Sequence, residues 1–435
     1  MILPHYDGHC GWYEMLKNIS SFSPLTADET FDTVVIGGGF VGTAAARRLA
    51  ENKPDHKFLL IDALKIGQGA SGRNSGFVID QPHKRDLESG DKVLKQKIVG
   101  LNRAAIAYME QQINTYGIDC QWSKAGKYQA AVGPRGEKFL NRYESLLRVA
   151  NEPFERLTKN QMRDTFGTDY YNASIYTPGG MLMQPAALMR GLADSMPSNT
   201  KVVENTPVIE ISRVDGGFRL KTEQSEINCR FLIVAAGAFT AELGFMKNRI
   251  LPVMTFASMT RPLTDEEMKR YGGVLDWGLT PADHAGTTVR MTQDRRLMIR
   301  NSYRYGHDYN TPAEILPGIH SKHREGFDLR FPALTNVEFE HTWGGTTSLS
   351  GNFETFFGSL EEGVYASGCD QSVGAARGTI SGMMLADMVC NKDSNLLQDM
   401  QNVSGNPSWL PPKPILRIGV PLRMGIARFA SRKEI

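Results

Sequence analysis

The sequence predicts an α/β fold built around a parallel sheet that is covered on both faces. Thr33–Ile36 and Phe58–Ile61 are continuous runs of β-branched and apolar residues, the pattern of a strand buried on both faces. Ala44–Glu51 lies between them and has the composition of a helix, so the three segments form one β-α-β unit of about 30 residues. Phe231–Val234 is a further apolar run, which predicts one more buried strand of the same sheet.

The rest of the chain predicts a second set of elements with a mixed sheet. Lys92–Tyr116 predicts a long helix, because its apolar residues recur every three or four positions. Residues 251–345 alternate strands with short helices, and they include a predicted pair of strands at Thr287–Met291 and Arg296–Tyr303. We therefore expect an α+β domain whose segments are interleaved with those of the parallel sheet.

Composition excludes several classes of protein. The chain has 435 residues, which is enough for two or three domains. Hydrophobic residues make up 41% of it and charged residues 22%, as is typical of globular proteins. A formal net charge of +2 gives no general field that would attract nucleic acid. The five cysteines are scattered without metal-ligand or disulfide spacing. The sequence lacks a signal-peptide pattern and a transmembrane run of about 20 apolar residues, so we expect a cytoplasmic protein.

A glycine-rich turn follows the first predicted strand and fits the pattern G-x-G-x-x-G at Gly37, Gly39 and Gly42. The first glycine permits a tight turn, the second lets the backbone approach a pyrophosphate, and the third lets the helix pack close to the strand. Phe40 and Val41 would begin a helix whose N-terminus presents free N–H groups to the phosphates. The alternative is a glycine-rich turn in an α/β protein that binds no nucleotide.

An acidic residue stands at the end of the second predicted strand. Asp62 follows Gly42 by 20 residues and, beside Ala63, would accept hydrogen bonds from the ribose hydroxyls of an AMP moiety. This spacing favours a dinucleotide site over a nucleotide-free turn. It does not separate FAD from NAD, so an NAD-dependent dehydrogenase stays open at this point.

The next segment separates the two cofactors. Ile66–Gly76 resembles the G-x-G-A-S-G-R-N-[SG]-G signature of the D-amino-acid-oxidase-like flavoproteins, which include glycine and sarcosine oxidases. In that family this segment wraps the pyrophosphate and lies against the isoalloxazine ring, whereas the alternative is an ordinary solvent loop. The resemblance implies a Rossmann-like FAD-binding domain interleaved with a mixed-sheet substrate domain. It assigns these residues to the cofactor: Gly69, Ala70, Ser71, Arg73, Asn74, Ser75 and Gly76.

The resemblance extends over roughly residues 30–395. Thr206–Val208 looks like the strand that pairs with adenine, Ile233–Ala238 looks like the family's A-[AT]-G-A stretch, and Val364–Gly382 looks like its C-terminal flavin motif. An ordinary strand-to-helix turn is the alternative for the last of these. The cofactor residues that these three segments imply are Val208, Ala236, Gly237, Gly368, Gln371, Ser372, Val373 and Gly374.

We divide the chain accordingly. The predicted units are an N-terminal surface arm (1–30), an FAD-binding domain (31–90, 180–250 and 345–410), a substrate domain (91–179 and 251–344) and a basic C-terminal tail (411–435). In the tail, Pro421 and Gly425 are expected to interrupt any long helix. The tail could lie on a membrane or on an electron-accepting partner, but we expect it to pack across the FAD-binding domain.

The resemblance also implies the chemistry. The family oxidises a C–N bond by hydride transfer from the adjacent carbon to flavin N5, and the resulting imine is hydrolysed. The leader and the G-R-N-S-G stretch look closest to the gamma-glutamylputrescine-oxidase-like branch. Because the cysteine and histidine positions of covalent members are not occupied here, we predict non-covalent FAD. Cys369 is the one candidate exception, and a small buried thiol is the more ordinary interpretation of it.

Two residues are candidates for the substrate side. His83 could lie near the flavin or on the surface, and Arg300 could bind a carboxylate or be a solvated strand end. The predicted partners are a small amine or amino acid and an electron acceptor, which is either oxygen or a protein. The rival functions are a flavoprotein subunit of a multi-component dehydrogenase and a relative of tRNA-modifying flavoproteins.

Overall fold

A computed structural model describes residues 2–6, 9–82, 91–283, 285–371 and 373–432. Its strands are β1 (His5–Tyr6), β2 (Glu29–Ile36), β3 (Phe58–Ile61), β4 (Phe77–Val78), β5 (Lys127–Ala131), β6 (Glu155–Leu157), β7 (Ala173–Thr177), β8 (Met181–Leu182), β9 (Thr200–Val203), β10 (Glu210–Val214), β11 (Gly217–Lys221), β12 (Glu226–Val234), β13 (Leu251–Thr260), β14 (Trp277–Pro281), β15 (Thr288–Met291), β16 (Leu297–Tyr305), β17 (Asn310–Thr311), β18 (Phe339–Leu349), β19 (Phe356–Glu361) and β20 (Val364–Gly368).

The α-helices of the described residues are α1 (Gly11–Glu14), α2 (Phe40–Asn52), α3 (Ala70–Arg73), α4 (Lys92–Tyr116), α5 (Gly133–Ala150), α6 (Lys159–Phe166), α7 (Pro185–Asp194), α8 (Asp265–Tyr271), α9 (Leu316–Arg330), α10 (Gly374–Val389), α11 (Asn395–Val403) and α12 (Lys413–Ala430). The predicted helix over 92–116 is confirmed. The residues that flank the helix set its limits. Asp91 caps its N-terminus by accepting a hydrogen bond from the Leu94 N–H, and Gly117 ends it by adopting the left-handed conformation.

The first sheet is the predicted parallel one. Its parallel strands lie in the order β9-β3-β2-β12-β20, and the antiparallel strands β10, β11 and β19 extend it. Alternate residues of β2 belong to two hydrophobic cores, one on each face of the sheet. Val35 packs with α2 and α10 on one face, whereas Val34 and Ile36 pack on the other. Burial on both faces explains why the strands appear in the sequence as continuous apolar runs.

The second sheet has eight strands in the order β18-β13-β16-β15-β14-β5-β7-β6, antiparallel apart from the β14–β5 pair. The predicted strand pair is confirmed as β15 and β16, and their register sets Thr288 opposite Arg300. Together the two sheets give the predicted α/β fold with a mixed second sheet. The numerical domain boundaries stay predictions, and β18 runs across the one placed between 344 and 345.

The N-terminal segment is more deeply buried than the predicted surface arm. The Trp12 side chain is 0% exposed and packs edge-on against Trp343 of β18, with 6.3 Å between the ring centroids. Its Nε1 donates to the Asn74 carbonyl over 2.8 Å, and the Gln184 Nε2 donates to the Trp12 carbonyl over 2.6 Å. The segment around Trp12 is therefore part of the core that joins the two sheets.

The C-terminal segment also differs from the prediction. It forms one helix, α12, which runs through Pro421 and packs against β16 of the second sheet, not across the first sheet. A proline removes one helical hydrogen bond, to the carbonyl four residues earlier. That carbonyl belongs to Arg417, which is exposed, so water can satisfy it. No helix in the described ranges is both long and apolar enough to cross a membrane.

We predict that Trp12→Ala lowers the free energy of unfolding by about 3 to 5 kcal/mol, because it leaves a cavity between the sheets and an unpaired Asn74 carbonyl. Guanidinium denaturation followed by circular dichroism measures the change. Trp409→Ala is the matched control, since Trp409 is 59% exposed. Equal effects of the two substitutions would contradict the buried position of Trp12.

Candidate cofactor and substrate site

A cavity of about 370 Å³ lies between the two sheets. Its wall includes Ile36 and Ile61, the carboxyl ends of β2 and β3, and the residues that follow β12. Thr255 of β13, Arg300 of β16 and Thr346 of β18 close it from the second sheet. Ligands of open α/β sheets bind at this edge of the parallel strands, so the cavity is the candidate site.

Most predicted cofactor residues meet in this cavity. Those that line it are Gly37, Gly39, Phe40, Val41, Asp62, Ala63, Gly69, Ala70, Ser71, Arg73, Asn74, Ser75, Val208, Ala236, Gly237, Gly368, Val373 and Gly374. Gly42, Gly76 and Gln371 do not line it. His83 and Ser372 lie outside the described residues.

The first glycine turn has the geometry that its motif predicts. Gly37 has a φ of +107°, and a Cβ on it would lie 2.5 Å from the Ala235 carbonyl oxygen. A Cβ on Gly42 would lie 1.7 Å from the Gly37 oxygen, so this glycine lets α2 pack on the turn and does not face the cavity. Helix α2 then begins at Phe40 without a cap from its N-cap residue, Gly39. Among the described residues only the Phe40 N–H of its first turn meets a side chain, so the following N–H groups are open to an anion.

Asp62 is held in place by backbone donors. Its Oδ2 accepts the Gly38 N–H over 2.7 Å and its Oδ1 accepts the Leu64 N–H over 2.8 Å. Burial raises the pKa of this carboxyl, while the two hydrogen bonds favour the ionised form. Each oxygen keeps further acceptor capacity, so the carboxylate suits a pair of ribose hydroxyls.

The loop after β3 is shaped by its own side chains. The Ser71 Oγ accepts the Phe40 N–H over 3.1 Å, which ties the loop to the start of α2. The Asn74 Nδ2 donates to the Ser71 carbonyl over 2.6 Å, and its Oδ1 accepts the Gly76 N–H over 2.8 Å. The serine and asparagine of the signature therefore order the backbone that lines the cavity.

Arg73 connects the loop after β3 to the second sheet. Its Nε donates to the Gln68 carbonyl over 2.6 Å, and its Nη1 donates to the Gly344 carbonyl of β18 over 2.9 Å. The Tyr6 ring covers the guanidinium at 4.2 Å. Trp343 of β18 makes a second hydrogen bond to the same loop, because its Nε1 donates to the Arg73 carbonyl over 3.0 Å.

Gly76 has a different neighbour from the one predicted. Its φ is +77°, and a Cβ there would lie 1.8 Å from Nη1 of Arg290. That guanidinium is fully buried and donates to the carbonyls of Ser75, Gly76 and Met183. Burial lowers the pKa of Arg290 to about 10, so the side chain stays charged at neutral pH. Arg290 thus joins β15 to the end of the cofactor loop, a role that the sequence pattern did not indicate.

At the opposite end of the site, the loop after β20 closes the cavity. Gly368, Val373 and Gly374 line it, and α10 begins there without a side-chain cap. Gln371 points away, because its Nε2 donates to the Cys369 carbonyl over 2.7 Å and to the Ser350 Oγ over 3.2 Å. Gln371 therefore holds the loop in place from the side that faces away from the cavity.

Three buried polar atoms of this end have no hydrogen-bond partner among the described residues: the Thr346 Oγ1, the Ser367 Oγ and the Asp370 Oδ1. All three residues line the cavity. Burial raises the pKa of Asp370 to about 6, and the charge of Arg377 opposes that rise. Unpaired buried polar atoms are costly, so they indicate that a ligand with hydrogen-bonding edges completes this end of the site. Sequence reasoning missed these residues.

The two ends together suit one elongated ligand. An open helix N-terminus and a carboxylate lie at the β2–β3 end, which fits a pyrophosphate and a ribose. Unpaired donors and acceptors lie at the β18–β20 end, which fits a polar ring. Within the described residues no cysteine or histidine lines the cavity, and the non-covalent attachment of the cofactor stays a prediction. Cys369 donates its thiol to the Leu349 carbonyl over 3.4 Å, and burial raises its pKa.

Arg300 faces the same cavity from β16. Its Nη1 lies 3.5 Å from the Thr288 Oγ1, and in the described part of the chain it forms no ion pair. Burial lowers the pKa of this guanidinium. Arg300 is half-buried, and its one side-chain hydrogen bond among the described residues is the long one to Thr288. The other donors of its guanidinium therefore suit a carboxylate ligand in the cavity. The aromatic side chain of Trp343 also lines the cavity.

Comparison with known proteins agrees with this geometry. A family model described as FAD dependent oxidoreductase matches residues 32–388. A probable oxidoreductase OrdL of Haemophilus influenzae is 25% identical over 392 residues, covering 86% of each chain. The gamma-glutamylputrescine oxidoreductase of Escherichia coli is 24% identical over 382 residues, covering 85% of each chain. The solved glycine oxidase of Geobacillus kaustophilus has a TM-score of 0.71 at 20% identity, covers 84% of this chain and 96% of that one, and shares the fold.

We predict that Gly39→Val lowers the FAD affinity by roughly tenfold or more, equivalent to about 1.4 kcal/mol. A Cβ on Gly39 would lie 2.7 Å from the Ser71 Oγ, and the larger side chain would occupy the cavity. Flavin absorbance per protein and titration of the apoprotein with FAD measure the effect. Gly318→Val is the control, because a Cβ there meets nothing within 4 Å. Unchanged affinity in Gly39→Val would place the pyrophosphate elsewhere.

Proposed function

The chain belongs to the family of FAD-dependent oxidoreductases, whose model matches residues 32–388, and we propose that it oxidises a C–N bond in a small amine or amino acid. The match confirms the resemblance inferred from Ile66–Gly76 and removes the NAD-dependent alternative. When bound, FAD supplies the acceptor for a hydride from the carbon beside the nitrogen. The remaining product is an imine, which water hydrolyses.

Arg300 is the observation that carries this proposal. Its guanidinium lines the same cavity as the cofactor motif, and it lacks an ion-pair partner among the described residues. A substrate carboxylate would complete its hydrogen bonds and would orient the neighbouring carbon toward the cofactor. The matched relatives support the substrate class, since one is a gamma-glutamylputrescine oxidoreductase and one is a glycine oxidase.

The cavity offers few groups that could remove a proton. Its ionisable residues in the described ranges are Tyr6, Asp62, Arg73, Glu242, Arg300 and Asp370. Asp62 is occupied by backbone donors, and Arg73 by backbone acceptors. We propose that the substrate binds with a neutral amino group, because hydride loss from the carbon beside a neutral amine requires no side-chain base. His83 stays a candidate outside the described residues.

Anaerobic titration of the holoprotein tests the proposal. The flavin absorbance is followed while separate samples receive gamma-glutamyl amines, N-methyl amino acids, D-amino acids and simple amines. Bleaching by one class supports C–N oxidation and identifies the substrate class, and readmitted air then distinguishes oxygen from another acceptor. A flavoprotein that none of these compounds bleaches would contradict the proposal and favour a subunit role.

We predict that Arg300→Met lowers kcat/KM for a substrate with a carboxylate by about 10- to 100-fold, because a charge-assisted pair of hydrogen bonds is lost. The same variant should change kcat/KM little for the corresponding amine that lacks the carboxylate. Steady-state kinetics on the two substrates measures the difference. Arg295→Met is the control on the same hairpin, where Arg295 pairs with Asp265 at the surface. Equal losses on both substrates would argue against a carboxylate clamp.

A further inference from the structure

The C-terminal helix α12 presents an apolar stripe to solvent. Ile415, Ile418, Leu422, Ile426 and Phe429 recur every three or four residues and are 59%, 75%, 65%, 64% and 70% exposed. At 3.6 residues per turn these five side chains share one face of the helix. Contiguous apolar surface of this kind marks a docking site.

The opposite face of α12 is the one that holds it to the protein. Leu416, Val420, Met424 and Ala427 are half-buried and also recur every three or four residues. Arg428 adds a contact, because its guanidinium lies 4.7 Å from the centre of the Tyr303 ring on β16. The helix is therefore attached through one apolar face and leaves the other uncovered.

The charges of the helix are all of one sign. Arg417, Arg423 and Arg428 lie on the two flanks between the apolar faces, Lys413 lies on the attached face, and the helix contains no Asp or Glu. A second copy of this chain on the exposed stripe would bring two rows of arginines together. An anionic surface would instead pair with them, so charge complementarity favours negatively charged lipid headgroups.

We propose that α12 docks the protein on an anionic lipid surface, with the stripe Ile415–Phe429 in the headgroup region and the flanking side chains of Arg417 and Arg423 on the phosphates. The helix, about 27 Å long, would lie along the surface. Its first residue, Lys413, lies 4.0 Å from Glu242, which also accepts the Ile2 N–H over 3.1 Å. Glu242 and Ile2 line the cavity, so the docked protein holds one side of its cofactor site close to the lipid.

Sedimentation of the holoprotein with vesicles tests the proposal. Vesicles of phosphatidylcholine with phosphatidylglycerol should retain the protein, whereas phosphatidylcholine alone should retain much less, and added salt should weaken the binding. Ile418→Gln combined with Leu422→Gln should weaken binding by roughly tenfold or more. Arg423→Gln should weaken it by about fivefold.

Leu329→Gln is the matched control, because Leu329 on α9 is 63% exposed and Leu422 is 65% exposed. It should bind vesicles as the unchanged protein does, and flavin content should be equal in all variants. The proposal is overturned if the unchanged protein does not sediment with anionic vesicles or if Leu329→Gln binds as weakly as the double variant. It is also overturned if ultracentrifugation shows a lipid-free dimer that the double variant dissociates, since a second copy would then cover the stripe.

Discussion

Close contact between backbones at the end of β2 is the constraint on which the site depends. A Cβ on Gly42 would lie 1.7 Å from the Gly37 oxygen, and a Cβ on Gly382 would lie 2.1 Å from the Val41 oxygen. The first contact lets α2 start directly above the turn, and the second lets α10 cross α2 without a gap. Because both helices begin at the cavity, these glycines bring two open helix N-termini to one ligand.

The two sheets form one site because two arginine side chains join them. Arg73 reaches from the cofactor loop to a carbonyl of β18, and Arg290 reaches from β15 to three carbonyls around Gly76. Breaking either contact would leave buried polar groups unpaired, which is costly. The substrate-facing strands and the cofactor loop therefore order each other. Arg300 lies on β16, two strands away from β18 in the same sheet. The contacts that hold this sheet against the cofactor loop therefore also hold Arg300 facing the cofactor residues.

The sequence was informative wherever the controlling pattern is local. The apolar runs predicted the parallel strands, and the glycines with Asp62 predicted the cofactor turn. Arg290 was missed because its partners are distant in the chain. Asp370 was missed because nothing in its neighbours in the sequence marks it as buried. Helix α12 was missed because the rule against internal proline assumes that the lost hydrogen bond is costly, whereas the residue that loses it here, Arg417, is exposed to water. Trp12 was misplaced because one buried aromatic has no periodic signal.

A crystal structure of the holoprotein soaked with acetate tests the central claim most directly, namely that cofactor and substrate meet in the cavity between the sheets. The account predicts FAD along the turn after β2 and the loop after β3, with its ring beside Thr346, Ser367 and Asp370. It predicts an acetate carboxylate within hydrogen-bonding distance of the Arg300 guanidinium. FAD bound elsewhere, or an acetate-occupied cavity in which Arg300 stays unpaired, would contradict it.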